Sequence, residues 1–193
     1  MYDQIETFLS SDEKAICFGN VERAKPRFLF PGSFNPLHDG HRRMANYVQE
    51  RFATPATFEI SVTNVDKPAL KAEQIHDRLA QFETGHVWLT KATTFAEKAI
   101  LFPETQFIVG ADTVARLFDG TYYRDDADYE RAMKTLEGNS VRFLAFGRLV
   151  EKAFQESNSL AIPAFAQQWF DFVPEIDFRC DVSSTEIRKN TST

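Results

Sequence analysis

Two imidazoles three residues apart, His38 and His41, close the stretch Pro31-Gly32-Ser33-Phe34-Asn35-Pro36-Leu37-His38-Asp39-Gly40-His41. An apolar run, Arg27-Phe28-Leu29-Phe30, leads into it, and a helix-patterned segment over 41–52 leads out. That order reads as strand, tight loop and helix, the local geometry of an anion site. Gly32 carries no Cβ, so the backbone there can approach a ligand closely. Asn35-Pro36 is turn chemistry. At the mouth of a helix the first N–H groups are unpaired and the dipole is positive. Two histidines beside such donors suit a group that gains negative charge during reaction, such as a phosphate. A zinc site would need further nitrogen or sulfur ligands. His76 and His86 lie in segments of different pattern and no cysteine is close in sequence, so no metal ligand set is assigned.

Other residues could share that chemistry, and each also has a plainer reading. Lys67 follows the alternating segment Phe58-Glu59-Ile60-Ser61-Val62, in a loop at the carboxyl end of an expected strand, where ligands of open α/β sheets gather. It could meet a phosphate oxygen or be an exposed loop lysine. Arg42 and Arg43 flank the histidines and could be solvated charges. Asp112 opens a helix after the apolar strand 105–109 and Gly110, and a carboxylate there is commonly a cap. Near the C-terminus, Ser183 with Glu186 fits a capping box. Ser184 and Thr185 would then stand in a first helical turn with donors available to an anion, and Arg188 one turn on would add a guanidinium fork.

Gly32-Ser33-Phe34-Asn35-Pro36-Leu37-His38-Asp39-Gly40-His41 resembles the Gly-Ser/Thr-Phe-Asp/Asn-Pro-x-His-x-Gly-His signature of the nucleotidylyltransferase superfamily, and within it most resembles the nicotinamide or nicotinate mononucleotide adenylyltransferases. Val182-Ser183-Ser184-Thr185-Glu186-Ile187-Arg188 is similar to that superfamily's Ile-Ser-Ser-Thr-x-Ile-Arg motif, with Val182 for the first Ile. The two motifs stand in family order, and the resemblance spans residues 27–190.

The resemblance implies transfer of AMP from ATP to a phosphate-bearing acceptor, with release of pyrophosphate. His38, His41, Lys67 and Arg188 would carry the catalysis. Gly32, Ser33, Phe34, Gly110, Asp112, Ser183, Ser184 and Thr185 would bind the nucleotide. Asn64, in an Asn-x-x-Lys spacing with Lys67, Thr94 at a helix start (or its neighbour Thr93), and Tyr122 would meet the acceptor. Tyr122, in Thr121-Tyr122-Tyr123, stands where the pyridine-mononucleotide enzymes place a ring-stacking Trp. Mg²⁺ would arrive on the triphosphate, mostly water-coordinated.

Nicotinamide or nicotinate mononucleotide is the expected acceptor, which would place the protein in NAD biosynthesis. Cytidylyl transfer, another phosphate acceptor, or nucleotide binding without catalysis are the alternatives. An aminoacyl-tRNA synthetase shares His-x-Gly-His, but the short chain and acidic charge disfavour it, as does the absence of a Lys-Met-Ser-Lys-Ser-like loop.

The elements that must position these residues alternate. Five strand candidates (28–30, 58–62, 86–89, 105–109 and 141–146) are interleaved with helices over 41–52, 71–83, 93–102, 111–118 and 125–137. Glu175–Cys180 reads as a short final strand and 150–172 as broken helix. The expected fold is a Rossmann-like α/β domain, an open parallel sheet of five to six strands with helices on both faces. One domain spans 1–193, with 1–26 as an N-terminal helical extension and 27–190 as the catalytic core.

Of the 193 residues, 43% are hydrophobic and 26% charged, ordinary for a globular chain. Nineteen Phe point to aromatic packing between sheet and helices. A net charge of −6 argues against a general nucleic-acid binder. Cys17 and Cys180 are isolated thiols, and neither a secretory leader nor a membrane-length apolar run is evident, so a cytoplasmic location without membrane attachment is expected. Neither monomer nor homo-oligomer is excluded.

Overall fold

The computed structural model describes residues 1–19, 25–63, 68–82, 86–150, 153–155 and 161–179. Its helices are α1 (Tyr2–Ser10), α2 (Asp39–Phe52), α3 (Ala72–Leu79), α4 (Phe95–Leu101), α5 (Ala111–Leu117) and α6 (Asp126–Gly138). Its strands are β1 (Ala15–Phe18), β2 (Phe28–Pro31), β3 (Ala56–Ser61), β4 (Val87–Thr90), β5 (Gln106–Gly110), β6 (Arg142–Phe146), β7 (Arg148–Val150), β8 (Ala153–Gln155) and β9 (Phe170–Val173).

Seven strands form one sheet in the order β1-β4-β3-β2-β5-β6-β9, parallel throughout except for the antiparallel edge pair β1–β4. The chain steps outward from β2 through β3 to β4, then returns to the other side of β2 for β5, β6 and β9. The direction of winding therefore reverses between β2 and β5. A crevice at the carboxyl ends of two strands at such a reversal is where open α/β sheets bind ligands.

Alternation along the strands separates two apolar layers. Phe28, Phe30, Ile108, Leu144 and Phe146 face one side, with Ile5 and Phe8 of α1, Val48 of α2, and Ile75 and Leu79 of α3. Leu29, Phe107, Val109, Phe143 and Ala145 face the other, with Ala99 of α4, Val114 and Leu117 of α5, and Met133 and Leu136 of α6. The phenylalanines dominate both: Phe30, Phe34, Phe58 and Phe82 meet edge-on or stacked in one layer, Phe95, Phe107, Phe143 and Phe170 in the other.

Three expectations are corrected. The segment 1–26 is not a purely helical extension, because Ala15–Phe18 joins the sheet as an edge strand beside β4. Among the described residues of 150–172 the expected broken helix is not found. They hold the end of a β7–β8 hairpin, a short 3-10 helix over Ala164–Trp169 and most of β9. Among the described residues the last strand is β9 at Phe170–Val173, paired to β6, whereas 175–177 of the expected strand form a turn and Cys180 lies outside the described residues. Trp169 and Phe170 are buried.

Candidate active site

β2 and β5 part company before their ends. Their pairing covers Phe28↔Gln106 and Leu29↔Phe107, while β2 stays on β3 through Pro31↔Glu59 and the Gly32 N–H donates to the Glu59 carbonyl at 2.9 Å. β5 meanwhile stays on β6 through Gly110↔Phe146. The crevice so opened is bordered by the loop 32–38 on one side and Gly110 with the start of α5 on the other. A Cβ at Gly110 would meet no atom within 4 Å, so the backbone there borders open space.

The loop is built around Phe34. Its backbone lies in the left-handed region (φ 41°), unusual for a residue with a side chain, while its ring is 1% exposed. The ring sits edge-on to Phe30, Phe58 and Phe82 and to the imidazole of His41, with centroids 5.0 Å apart in the last case. It also lies over Gly32, where a Cβ would come 2.6 Å from Phe34 Cζ. Gly32 is thus required by the ring of its own loop. The peptide bond between Asn35 and Pro36 is cis.

His38 is the N-cap of α2 and His41 stands in its first turn. The two rings stack at 3.8 Å between centroids with 24° between planes. The His38 N–H donates to His41 Nδ1 at 3.3 Å. An accepting Nδ1 in a neutral imidazole puts the proton on Nε2. Burial lowers the His41 pKa to about 3, with His38 a lesser contributor, and burial also lowers that of His38, partly offset by Asp39. Burial thus favours the neutral form of both rings, and a neutral imidazole keeps one N–H donor.

The other expected residues divide by position. Ser33 is exposed, and its carbonyl accepts from Arg78 Nη1 at 3.1 Å. Asp112 is exposed in the first turn of α5, behind its N-cap Gly110. Thr94 is the N-cap of α4: its hydroxyl accepts from the Glu97 N–H at 3.2 Å, and Glu97 Oε2 takes the Thr94 N–H and the Thr93 hydroxyl. The plainer capping reading of Thr94 is therefore realised. Tyr122 ends a 3-10 turn over Gly120–Tyr122, half-buried, with the Arg116 guanidinium 5.8 Å from its ring. Tyr123 belongs to the packing instead: its hydroxyl donates to the Leu117 carbonyl, and burial pushes its pKa up to about 12. Of the arginines beside the pair, Arg42 donates to the Gln81 carbonyl at 3.3 Å and Arg43 lies over the Phe178 ring. Asn64, Lys67, Ser183, Ser184, Thr185 and Arg188 lie outside the described residues.

The sequence does not single out Arg78 and Gln81, which hold the loop from α3. Gln81 Oε1 accepts from the Leu37 N–H at 2.7 Å and Gln81 Nε2 donates to the Phe34 carbonyl at 2.9 Å. Arg78 turns back onto the Ser33 carbonyl.

Among the described residues no group of three or more His, Cys, Asp or Glu could hold a metal ion, and no helix is long and apolar enough to cross a membrane. The donor set at the loop, imidazoles and backbone N–H groups, lacks the anionic oxygens a resident Mg²⁺ prefers.

A mostly parallel sheet whose winding reverses between β2 and β5, with a histidine pair at the start of the helix beside that point, defines a Rossmann-like α/β domain. The sequence matches the cytidylyltransferase-like family over residues 29–190, so the chain belongs to that family, within the nucleotidyltransferase superfamily. It is also 29% identical over 139 residues to a Schizosaccharomyces pombe protein named "Putative nicotinamide mononucleotide adenylyltransferase", a match covering 64% of this chain and 55% of that one. The chain spans about half the length of this curated relative.

Proposed function

We propose that the protein transfers AMP from ATP to nicotinamide or nicotinate mononucleotide and releases pyrophosphate. The observation that carries this reading is the stacked His38–His41 pair, its neutral form favoured by burial, at the N-terminus of α2, beside the crevice between β2 and β5. The family match and the named function of the fission-yeast relative support the reaction class and the acceptor.

An oxygen of the acceptor phosphate attacks the α-phosphorus of ATP in line. The new P–O bond forms as the bond from the α-phosphorus to the bridging oxygen breaks, and the electron pair leaves with pyrophosphate. The acceptor is already ionised at neutral pH, so the enzyme needs no nucleophile and no general base. Its task is positioning and stabilisation of developing charge. His41 Nε2–H and His38 donate to the α-phosphate oxygens, and Gly110 lets the nucleotide lie close to the end of β5. Asp112 accepts from a ribose hydroxyl or a base amine, and Tyr122 stacks on the pyridine ring. Lys67 bridges to the acceptor phosphate, and Ser183, Ser184, Thr185 and Arg188 hold the leaving pyrophosphate. The described chain supports that last assignment: Phe178 packs on Tyr47 and beneath Arg43, so it reaches the helix bearing the histidines just before the second motif. Mg²⁺ comes as part of the substrate and neutralises triphosphate charge.

The deciding experiment is pyrophosphate release from ATP or CTP with Mg²⁺, against nicotinamide and nicotinate mononucleotides, phosphopantetheine and choline phosphate. Turnover with ATP and a pyridine mononucleotide is expected. Turnover only with CTP, or nucleotide binding without turnover on every acceptor, overturns it.

A further inference from the structure

Phe34 holds a left-handed backbone, which for a bulky residue is strained unless the surroundings impose it. Burial of its ring is one restraint. The other comes from beyond the loop. Gln81, two residues past the end of α3, uses both ends of its amide on the loop, accepting from Leu37 N–H and donating to the Phe34 carbonyl. Arg78 takes the Ser33 carbonyl. Asn35-Pro36 is the only cis peptide among the described residues, so the Ser33–Phe34 and Phe34–Asn35 peptides are trans. In a trans peptide the N–H points opposite the carbonyl. Turning both carbonyls towards α3 therefore turns the N–H groups of Phe34 and Asn35 away from it.

We infer that Gln81 is a positioning residue: it clamps residues 34–37 so that the Phe34 ring stays seated over Gly32 and against His41, and the loop N–H groups keep their aim. The catalytic part of this inference rests on the phosphate-transfer reading above; the clamp itself does not. A glutamine can serve both loop groups at once, whereas a carboxylate could accept from Leu37 but would set an oxygen against the Phe34 carbonyl. The same amide also donates to the Arg78 carbonyl at 3.3 Å, which ties the clamp to the last turn of α3. Asp77 lines the same cleft of about 260 Å³ outside the loop, and its contact is with His76 rather than with the loop. It serves as the control.

The test compares the wild type with Gln81→Leu, Gln81→Met and Asp77→Asn. The first readout is the ionisation of His41 in the substrate-free protein, followed by NMR of its ring carbon and nitrogen. His38 is the titratable neighbour acting on His41, and Asp39 acts in turn on His38. Neither is altered in these variants. With the clamp gone, Phe34 loses its seat, water reaches the imidazole and the His41 midpoint rises by at least about one unit towards its ordinary value. Asp77→Asn leaves it unmoved. The second readout is turnover: kcat falls about 10- to 100-fold in Gln81→Leu, as expected for a site displaced by about an ångström, while KM for the nucleotide changes far less. The unfolding temperature falls, because the Leu37 N–H and the Phe34 carbonyl lose their partner, but the fold persists. If Gln81→Leu does not fold, Gln81→Met, which likewise adds no charge beside His41, carries the same readouts. A folded Gln81 variant whose His41 midpoint is unmoved and whose kcat lies within about twofold of wild type overturns the inference. Should the wild type itself turn over no acceptor, the functional reading fails, and the histidine titration still decides the clamp.

Discussion

The backbone N–H of His38 donates to Nδ1 of His41 at 3.3 Å while the two rings stack 3.8 Å apart, so one histidine fixes the tautomer and the plane of the other. A charged pair at this spacing would repel itself, and burial already favours the neutral form of both. The arrangement makes a donor that is set before substrate arrives.

His41→Ala removes that donor. Turnover should fall by roughly 10²–10³-fold, the scale for losing one pre-aimed donor to a transition-state oxygen. Pyrophosphate release measured on the folded variant checks it, and a loss under about threefold refutes the assignment.

The depressed His41 pKa has a consequence for stability. The folded state holds the imidazole neutral down to about pH 3, whereas the unfolded chain protonates it near the ordinary value. Between those limits the unfolded state binds more protons, so stability is fully present above the ordinary histidine range and is lost as pH falls. From pH 7 to pH 5 His41 alone should withdraw about 2 kcal/mol. Urea unfolding of the wild type and His41→Phe at several pH values isolates this slope, and equal slopes would show that His41 is not desolvated.

Gly32→Ala places a methyl 2.6 Å from the Phe34 ring. Ring and backbone cannot both stay, and overpacking of this kind costs about 1–3 kcal/mol. The variant should unfold at lower temperature and lose turnover together, as a calorimetric scan beside the pyrophosphate assay would show.

Lys98 Nζ lies 2.8 and 2.9 Å from the two carboxylate oxygens of Glu59, both residues almost fully buried, with Thr90, Ser61 and the Ala92 carbonyl completing the network. Lys98→Met strands the carboxylate and should cost about 3–5 kcal/mol in denaturant unfolding. Pairing it with Glu59→Gln should recover much of that loss.

Tyr122→Ala should raise KM for the pyridine mononucleotide about tenfold, within the 1–3 kcal/mol range of base–aromatic stacking, and leave KM for ATP nearly unchanged. Equal KM values for the acceptor would remove Tyr122 from the acceptor site.

Periodicity made β2 to β6 and the helices between them legible, because each buries one alternating or helical stripe. β1 was not, since Ala15-Ile16-Cys17-Phe18 is four residues of intermediate burial between polar stretches. β9 was hidden by Phe165, Trp169 and Phe172, whose spacing imitates a helical stripe, whereas the ladder with β6 draws 170–173 into the sheet. At the site, the histidines announced themselves through residue type and spacing. Gln81 did not: its partners are backbone groups of residues 34 and 37, which no side-chain pattern marks. Phe34 was expected to bind the nucleotide, and its ring proves to be the centre of the loop's packing.

The antiparallel strand Ala15–Phe18 has a protective effect. It occupies the outer edge of Val87–Thr90, anchored by the Lys91 ammonium on the carbonyls of Leu9 and Ser11, and it is itself too brief to template another chain. A clipped protein lacking its first nineteen residues would present that bare ladder to its neighbours. It would also lose Ile5 and Phe8 from the layer packed on α3, so self-association by strand addition would accompany a loosened core.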